Sequence, residues 1–253
     1  MPNRTFVYVM LVLAFTLLWV PLGQHSFLVT HWMKVGALIA PFLLLTAAAF
    51  RSQTQGSILH DLRILSALML AAYILHQVEE HWIDLTGKTY AFHGYVNALL
   101  RNAVGAPEET ELLTRQAIFV INTSLVWLVG TLAVLLSPPR VFPALCMAAI
   151  ILINAISHMI AAIGTGTYNP GVATSVFPFI PIALWTFWVA RRGAGDLIFA
   201  SLLWAVLSHV VMVGGVIGAM WLQLYPEPAY FALLVAMSIL PALLFTRRSA
   251  KTS

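Results

Sequence analysis

Long apolar runs separated by short polar stretches dominate the chain. Eight can be drawn: Thr5 to Leu22, Met33 to Phe50, Arg63 to Ile83, Gln116 to Leu136, Val141 to Ile163, Val176 to Ala190, Asp196 to Leu222, and Pro228 to Phe245. Each is close to the roughly 20 residues an α-helix needs to cross a hydrocarbon core. The pattern therefore predicts an all-α fold, a polytopic transmembrane helix bundle of about eight spans. The sixth run is short and carries Pro178 and Pro181, so seven is the competing count. No repeat and no low-complexity tail is visible, and the chain reads as a single transmembrane domain over residues 1–253. Its polar residues concentrate in a core at about 63–190. The stretch 84–115 is too polar to span and too long for a minimal turn, which makes it an interfacial segment.

Composition agrees with that reading. The 253 residues are 60% hydrophobic and 9% charged, with a mean hydropathy of +0.90, whereas an average soluble domain is roughly 25% charged. A soluble fold of this length could not cover so much apolar surface. The net charge of +4 raises nucleic acid as a partner, but Lys and Arg lie singly or in pairs beside apolar runs and form no basic stripe. Nucleic acid is set aside, and the basic residues read as topology signals. Under eight spans, Arg4, Arg51, Arg63, Arg140, Arg191, Arg192, Arg247, Arg248 and Lys251 share one side, and Lys34, Lys88, Arg101 and Arg115 the other. The positive-inside rule then puts both termini in the cytoplasm. The single cysteine, Cys146, lies in an apolar run, so neither a disulfide framework nor a thiolate metal cluster is expected. The run from Thr5 to Leu22 lacks a small-x-small pattern before Gly23 and Gln24, and reads as a first span rather than a secretory signal.

Against this background a few polar residues inside the runs stand out. In His76-Gln77-Val78-Glu79-Glu80-His81-Trp82, positions i, i+3 and i+4 share a helix face, so His76, Glu79 and Glu80 point together, with Tyr73 one turn earlier and His81 pointing elsewhere. A carboxylate at the centre of a bilayer costs about 2.5–3.5 kcal/mol, and two adjacent ones repel. Protonation, a basic partner or a metal ion could compensate them. The spans hold almost no Lys or Arg, while imidazole and carboxylate are ordinary ligands for a divalent zinc or iron ion, so metal is the strongest of the three. The competing reading has the pair at the interface, protonated or reaching to water.

The fifth run carries Asn154 and His158 at i and i+4, one face of an otherwise apolar helix. Packed histidines outnumber ligands at such places, but a carboxylate-rich neighbour changes the balance. Asn122, in the fourth run, could contact a ligand or simply join helices. The turn-rich loop from Gly164 to Gly171 could carry backbone amides and the Tyr168 hydroxyl towards the site, or serve only as a turn. His209 suits a structural role but could approach His158. Under eight spans, the polar residues of the third, fourth and fifth runs fall on one side, the non-cytoplasmic one, at similar depth.

His76-x-x-Glu79-Glu80, Asn154-Ala155-x-x-His158 and Tyr168-x-Pro170-Gly171-x-x-Thr174 occur in that order and resemble the three signature motifs of the HXXEE family of integral membrane proteins. The resemblance covers roughly residues 70 to 190. It implies a multi-pass membrane protein with a catalytic or metal-binding role and adds Thr174 to the site, but brings no substrate. The inverted zinc-peptidase pattern His-x-x-Glu-His is a useful contrast, because Glu80 stands here where its second His would be. Carried over, that pattern makes His76, Glu80 and His158 the ligands and Glu79 the base. Apart from that pattern, Tyr168 is a further catalytic candidate, and Tyr73, Asn122, Asn154 and Thr174 are expected around the site. The intramembrane protease motif Glu-Glu-x-x-x-Arg is set aside because Asp84 stands in place of its Arg.

The expectation from sequence is thus a metal-dependent membrane enzyme, a hydrolase acting through metal-activated water on a lipid or another apolar small molecule. A non-haem iron oxygenase or desaturase is the runner-up, although eight histidines with few at ligand spacing fall short of a desaturase array. A proton-coupled transporter or a non-catalytic lipid-binding protein forms a third class.

Overall fold

A computed structural model describes residues 4–49, 57–137 and 139–245. Phe50, Arg51, Arg247, Arg248 and Lys251, used above for spans and topology, lie outside the described residues, as does the side chain of Arg4. Among the described residues the chain is mostly helical and has no β-strand, only an isolated antiparallel bridge between Ile83 and Thr89. The helices are α1 (Arg4–Gly23), α2 (Ser26–Ala49), α3 (Leu62–His81), α4 (Ala91–Val104), α5 (Arg115–Leu136), α6 (Phe142–Thr165), α7 (Val172–Trp221) and α8 (Glu227–Leu243). Six of them, all but α4 and α8, are long and apolar enough to cross a membrane.

Local chemistry sets the boundaries. Asp61 caps α3 by accepting the Arg63 N–H at 2.8 Å, and Thr114 caps α5 through the Ala117 N–H at 3.0 Å, each satisfying an amide that a helix start leaves without a partner. Two differences from the sequence reading follow the same logic. α2 begins at Ser26 rather than Met33, because only a short turn separates it from α1. The sixth and seventh runs are not joined by a loop but fused in α7, which breaks at Ala194 (φ −150°, ψ 32°). Gly193 and Gly195 flank that residue, and glycine pays the largest entropic cost in a helix, so a break is cheapest there.

The break turns α7 back along the bundle. Its first half leaves the end of α3, with Thr174 touching His76 and Glu79, and runs to the start of α3, where Trp185 Nε1 donates to the Leu59 carbonyl at 2.6 Å. Its second half returns, so that Met212 and Val216 line a cavity with Glu80. At the far end from that cavity, the Arg63 guanidinium donates to the Ser137 carbonyl through Nε (3.0 Å) and Nη2 (2.7 Å), and Arg140 to the Ala242 carbonyl at 2.7 Å. Cations at helix C-termini satisfy carbonyls that have no helical partner.

α6 forms the centre of the bundle. Its first half, from Ala144 to Ala149, is fully enclosed, and Phe142, Leu145, Met147 and Ile151 are among the largest enclosed side chains. α1 and α2 lie outside, exposing Leu17, Leu38 and Phe42; such apolar faces suit lipid rather than water. Beyond α3, Asn97 ties α4 to the following segment by accepting the Leu112 and Leu113 N–H groups at 2.8 and 2.9 Å. The stretch expected to be interfacial thereby folds as a short helix over the end of α3.

Candidate metal centre

His76, Glu80 and His158 come together at the end of α3 and α6, enclosed at 0%, 5% and 9% exposure. His76 Nε2 stands 3.3 Å from Glu80 Oε2, and His158 Nε2 stands 3.1 Å from Glu80 Oε1. One potential ligand atom from each residue lies within 4.8 Å of the other two, so the group could hold a metal ion. Helical spacing explains the first pair, at i and i+4, and the packing of α6 against α3 supplies the third residue.

The remaining hydrogen bonds orient these rings. Asn169 Nδ2 donates to the His158 carbonyl at 3.0 Å, which turns Asn169 Oδ1 towards His158 Nδ1 at 2.7 Å. An amide oxygen can only accept, so Nδ1 carries a proton, and in the neutral tautomer Nε2 presents its lone pair to Glu80. The same holds for His76. The Thr174 hydroxyl donates to Glu79 Oε2 at 2.5 Å, so its oxygen accepts from His76 Nδ1 at 2.8 Å. Asn154 Nδ2, a donor 3.0 Å from His76 Nε2, is consistent with a lone pair there. With both rings neutral, two imidazole lone pairs and a carboxylate converge, and acceptors facing one another call for positive charge between them, either a bound cation or a proton on an imidazole. A second ring N–H held by an oxygen is also how metal-bound histidines are oriented.

Glu79 points away from this convergence. Its carboxylate accepts from the Tyr168 hydroxyl (2.8 Å), the Ala173 N–H (3.2 Å), the Thr174 N–H (2.9 Å) and the Thr174 hydroxyl. It thus closes the N-terminus of α7 from a neighbouring helix, where free amides and the helix dipole favour an anion. Burial pushes the Tyr168 phenol above its ordinary range and Glu79 adds to the effect, so the hydroxyl keeps its proton as donor. Between Tyr168 and Thr174 the chain passes over the triad at Gly171 (φ 96°). A Cβ there would meet His76 Cε1 at 2.7 Å and Glu80 Cγ and His158 Cε1 at 2.8 Å. Only glycine fits both the backbone angle and the space.

Two candidates sit at one remove. Asn122 accepts from Gln77 Nε2 at 3.0 Å and lies 3.4 Å from His81 Nε2, reaching the triad only through His81. It opens the widened i→i+5 stretch Asn122–Leu128 of α5, a departure from regular helix frequent at functional sites. Tyr73 packs edge-on to His76, with ring centroids 5.3 Å apart. His209 donates from Nδ1 to the Ala205 carbonyl at 2.8 Å, within its own helix.

The sequence reading of His81 needs correction. Instead of pointing elsewhere, its Nε2 stands 3.3 Å from Glu80 Oε2, between Trp32 and Phe92. His81 is the last residue of α3, and its imidazole reaches the carboxylate of the adjacent Glu80 although consecutive residues lie about 100° apart around a helix. Asn169, Gly171 and Phe179, whose ring centroid is 4.7 Å from that of His76, also received no role from spacing. Asn169 and Gly171 do lie inside a motif, which was the available signal.

A family model described as a protein of unknown function with HXXEE motif matches residues 67–186. That segment contains the triad, its partners Asn154, Asn169 and Thr174, and the start of α7 up to Thr186. No curated protein and no solved structure matches the chain.

Proposed function

Taking residues 67–186 as a match to the HXXEE-motif family, we propose that the chain is a metal-dependent membrane enzyme, a hydrolase acting on an apolar or amphiphilic small molecule. The observation that carries this reading is the orientation of the rings: both Nδ1 atoms are held by oxygens, which leaves both Nε2 atoms facing Glu80. Two histidines and one carboxylate suit zinc or iron, and leave further coordination positions for water. A divalent ion held there supplies Lewis acidity and lowers the pKa of bound water towards neutrality.

The chain's own groups divide the remaining work. Thr174 and Asn169 fix the imidazoles. Glu79, occupied by four donors on the Nδ1 side of His76, is assigned to holding α7 and Thr174 in place rather than to the general-base role of the inverted zinc-peptidase pattern. Gly171 lets the backbone cover the triad and exclude water from that side.

Elemental analysis of the purified protein tests the reading. About one equivalent of zinc or iron per chain is expected, lost in Glu80→Ala and in His158→Ala. Zinc favours the hydrolase, and iron would move the same ligand set to oxygenase chemistry. Wild-type protein that takes up neither ion would overturn the proposal.

A further inference from the structure

Beside the triad lies a cavity of about 110 Å³ whose walls include Tyr73 and Glu80 of α3, Phe92 of α4, Leu113, and Met212 and Val216 of the returning half of α7. It is far larger than the ~10–15 Å³ that a single water requires, and approaches the ~150 Å³ apolar cavity known to take benzene. Its walls are mainly aliphatic and aromatic, with no Lys or Arg and with Glu80 as the one carboxylate. An anion would find no countercharge on these walls, and Glu80 is already engaged by the imidazoles of His76, His81 and His158, so the cavity suits an uncharged occupant.

A second observation points to a ligand with one polar atom. The Tyr73 side chain is enclosed, at 7% exposure, and lines the cavity. Its hydroxyl makes no hydrogen bond among the described residues, whereas the side chains of Thr174, Asn154, Asn169 and Tyr168 are each paired with a residue of the motif. Buried phenols ordinarily find a partner.

We infer that this cavity binds the apolar part of the substrate: a neutral amphiphile with a chain of roughly four to six carbons in the pocket and a carbonyl or hydroxyl oxygen hydrogen-bonded to Tyr73 beside Glu80. The assignment rests on the metal-enzyme reading for its chemistry but not for its geometry. Its walls come from four separate parts of the chain, so the site forms only when α7 has turned back at Ala194. α4 lies over the cavity and supplies Phe92 to it.

The test uses full-length protein in lipid nanodiscs and a six-carbon alcohol bearing a photoreactive diazirine. Mass spectrometry after irradiation should place the label on α4 and on the second half of α7, and unlabelled hexan-1-ol should displace it. Val216→Trp and the milder Met212→Phe should each reduce labelling several-fold with metal content unchanged. Tyr73→Phe should weaken the alcohol more than the matching hydrocarbon probe. Labelling that is spread over α1 and α2, or that both filling variants leave unchanged, would overturn the inference. Metal content measured on the same samples separates the two proposals. Normal metal with insensitive labelling sinks the cavity alone, whereas cavity labelling without metal sinks the metal reading and leaves the cavity standing.

Discussion

Glu79 and Thr174 are joined twice, the backbone N–H of Thr174 reaching Oε2 at 2.9 Å and its hydroxyl reaching the same oxygen at 2.5 Å. This pairing gives the two adjacent glutamates of the motif different environments. Glu79 receives amides at the start of a helix, and Glu80 faces the imidazoles of His76, His81 and His158. About 100° of helical rotation separates consecutive residues, so neither carboxylate has to share the other's partners.

Thr174 therefore links the two, and removing its hydroxyl should be felt at the metal. Thr174→Val preserves shape but gives His76 Nδ1–H no acceptor, and loss of such an outer partner typically weakens metal binding about 10–100-fold. Thr174→Ser should stay close to wild type. Competition with a chromophoric chelator measures both, and equal affinities for Val and wild type would contradict the link.

Glu79→Gln tests the cap. The amide nitrogen of glutamine would face the donors of either Thr174 or Tyr168 and Ala173, so hydrogen bonds are lost whichever way it turns. The expected cost is about 1–3 kcal/mol of stability, with metal still bound, read by thermal unfolding in detergent. Unchanged stability would remove the capping role.

The helical fold was legible because the apolar runs have the lengths that helices crossing a membrane need, and the triad because His76 and Glu80 share a face by period and His158 carries a polar face on an otherwise apolar helix. Three things were hidden for physical reasons. The fusion of two runs in α7 depends on a single non-helical residue, Ala194, which no length pattern reveals. His81 escapes periodicity because the ends of two adjacent side chains meet, its Nε2 standing 3.3 Å from Glu80 Oε2, where face counting separates them. The distinct duties of Glu79 and Glu80 depend on where a distant loop lands, since the spacing of the motif treats both as members of one face.

Gly171→Ala should disable the centre. A methyl group would lie 2.7–2.8 Å from atoms of all three triad residues, on a backbone with φ 96°, where a side chain is itself strained. Loss of metal together with a lower unfolding temperature is expected. Gly164→Ala provides the control, because nothing lies within 4 Å of a Cβ at that position. If Gly171→Ala binds metal normally, the loop does not sit on the triad.

The loop beyond α3 should respond to acid. Burial raises the pKa of Asp84, but hydrogen bonds from the Thr86 hydroxyl (2.7 Å) and from the Lys88 and Thr86 N–H groups (2.9 and 2.8 Å) outweigh it, leaving the carboxyl below its ordinary value of 3.8. A depressed folded-state pKa contributes stability that is present above 3.8 and lost as pH falls through the folded value. Amide exchange of Thr86 and Lys88 should therefore gain protection relative to Asp84→Ala near neutrality, and lose that advantage in acid. Equal exchange in the two proteins near neutral pH would refute the role of the carboxylate.

Two asparagines beside the triad should act with opposite signs. Asn169 accepts His158 Nδ1–H at 2.7 Å and so supports the lone pair on Nε2; Asn169→Ala should weaken metal binding about 10–100-fold. Asn154 Nδ2 instead points at His76 Nε2 from 3.0 Å, donating to the very lone pair that a cation would use. A cation must displace that hydrogen bond, so Asn154→Ala should bind metal at least as tightly as wild type, even if turnover falls. The contrast isolates the claim about tautomers, because a merely structural role for both residues would weaken binding in both variants. Parallel losses of affinity would mean that His76 does not ligate through Nε2.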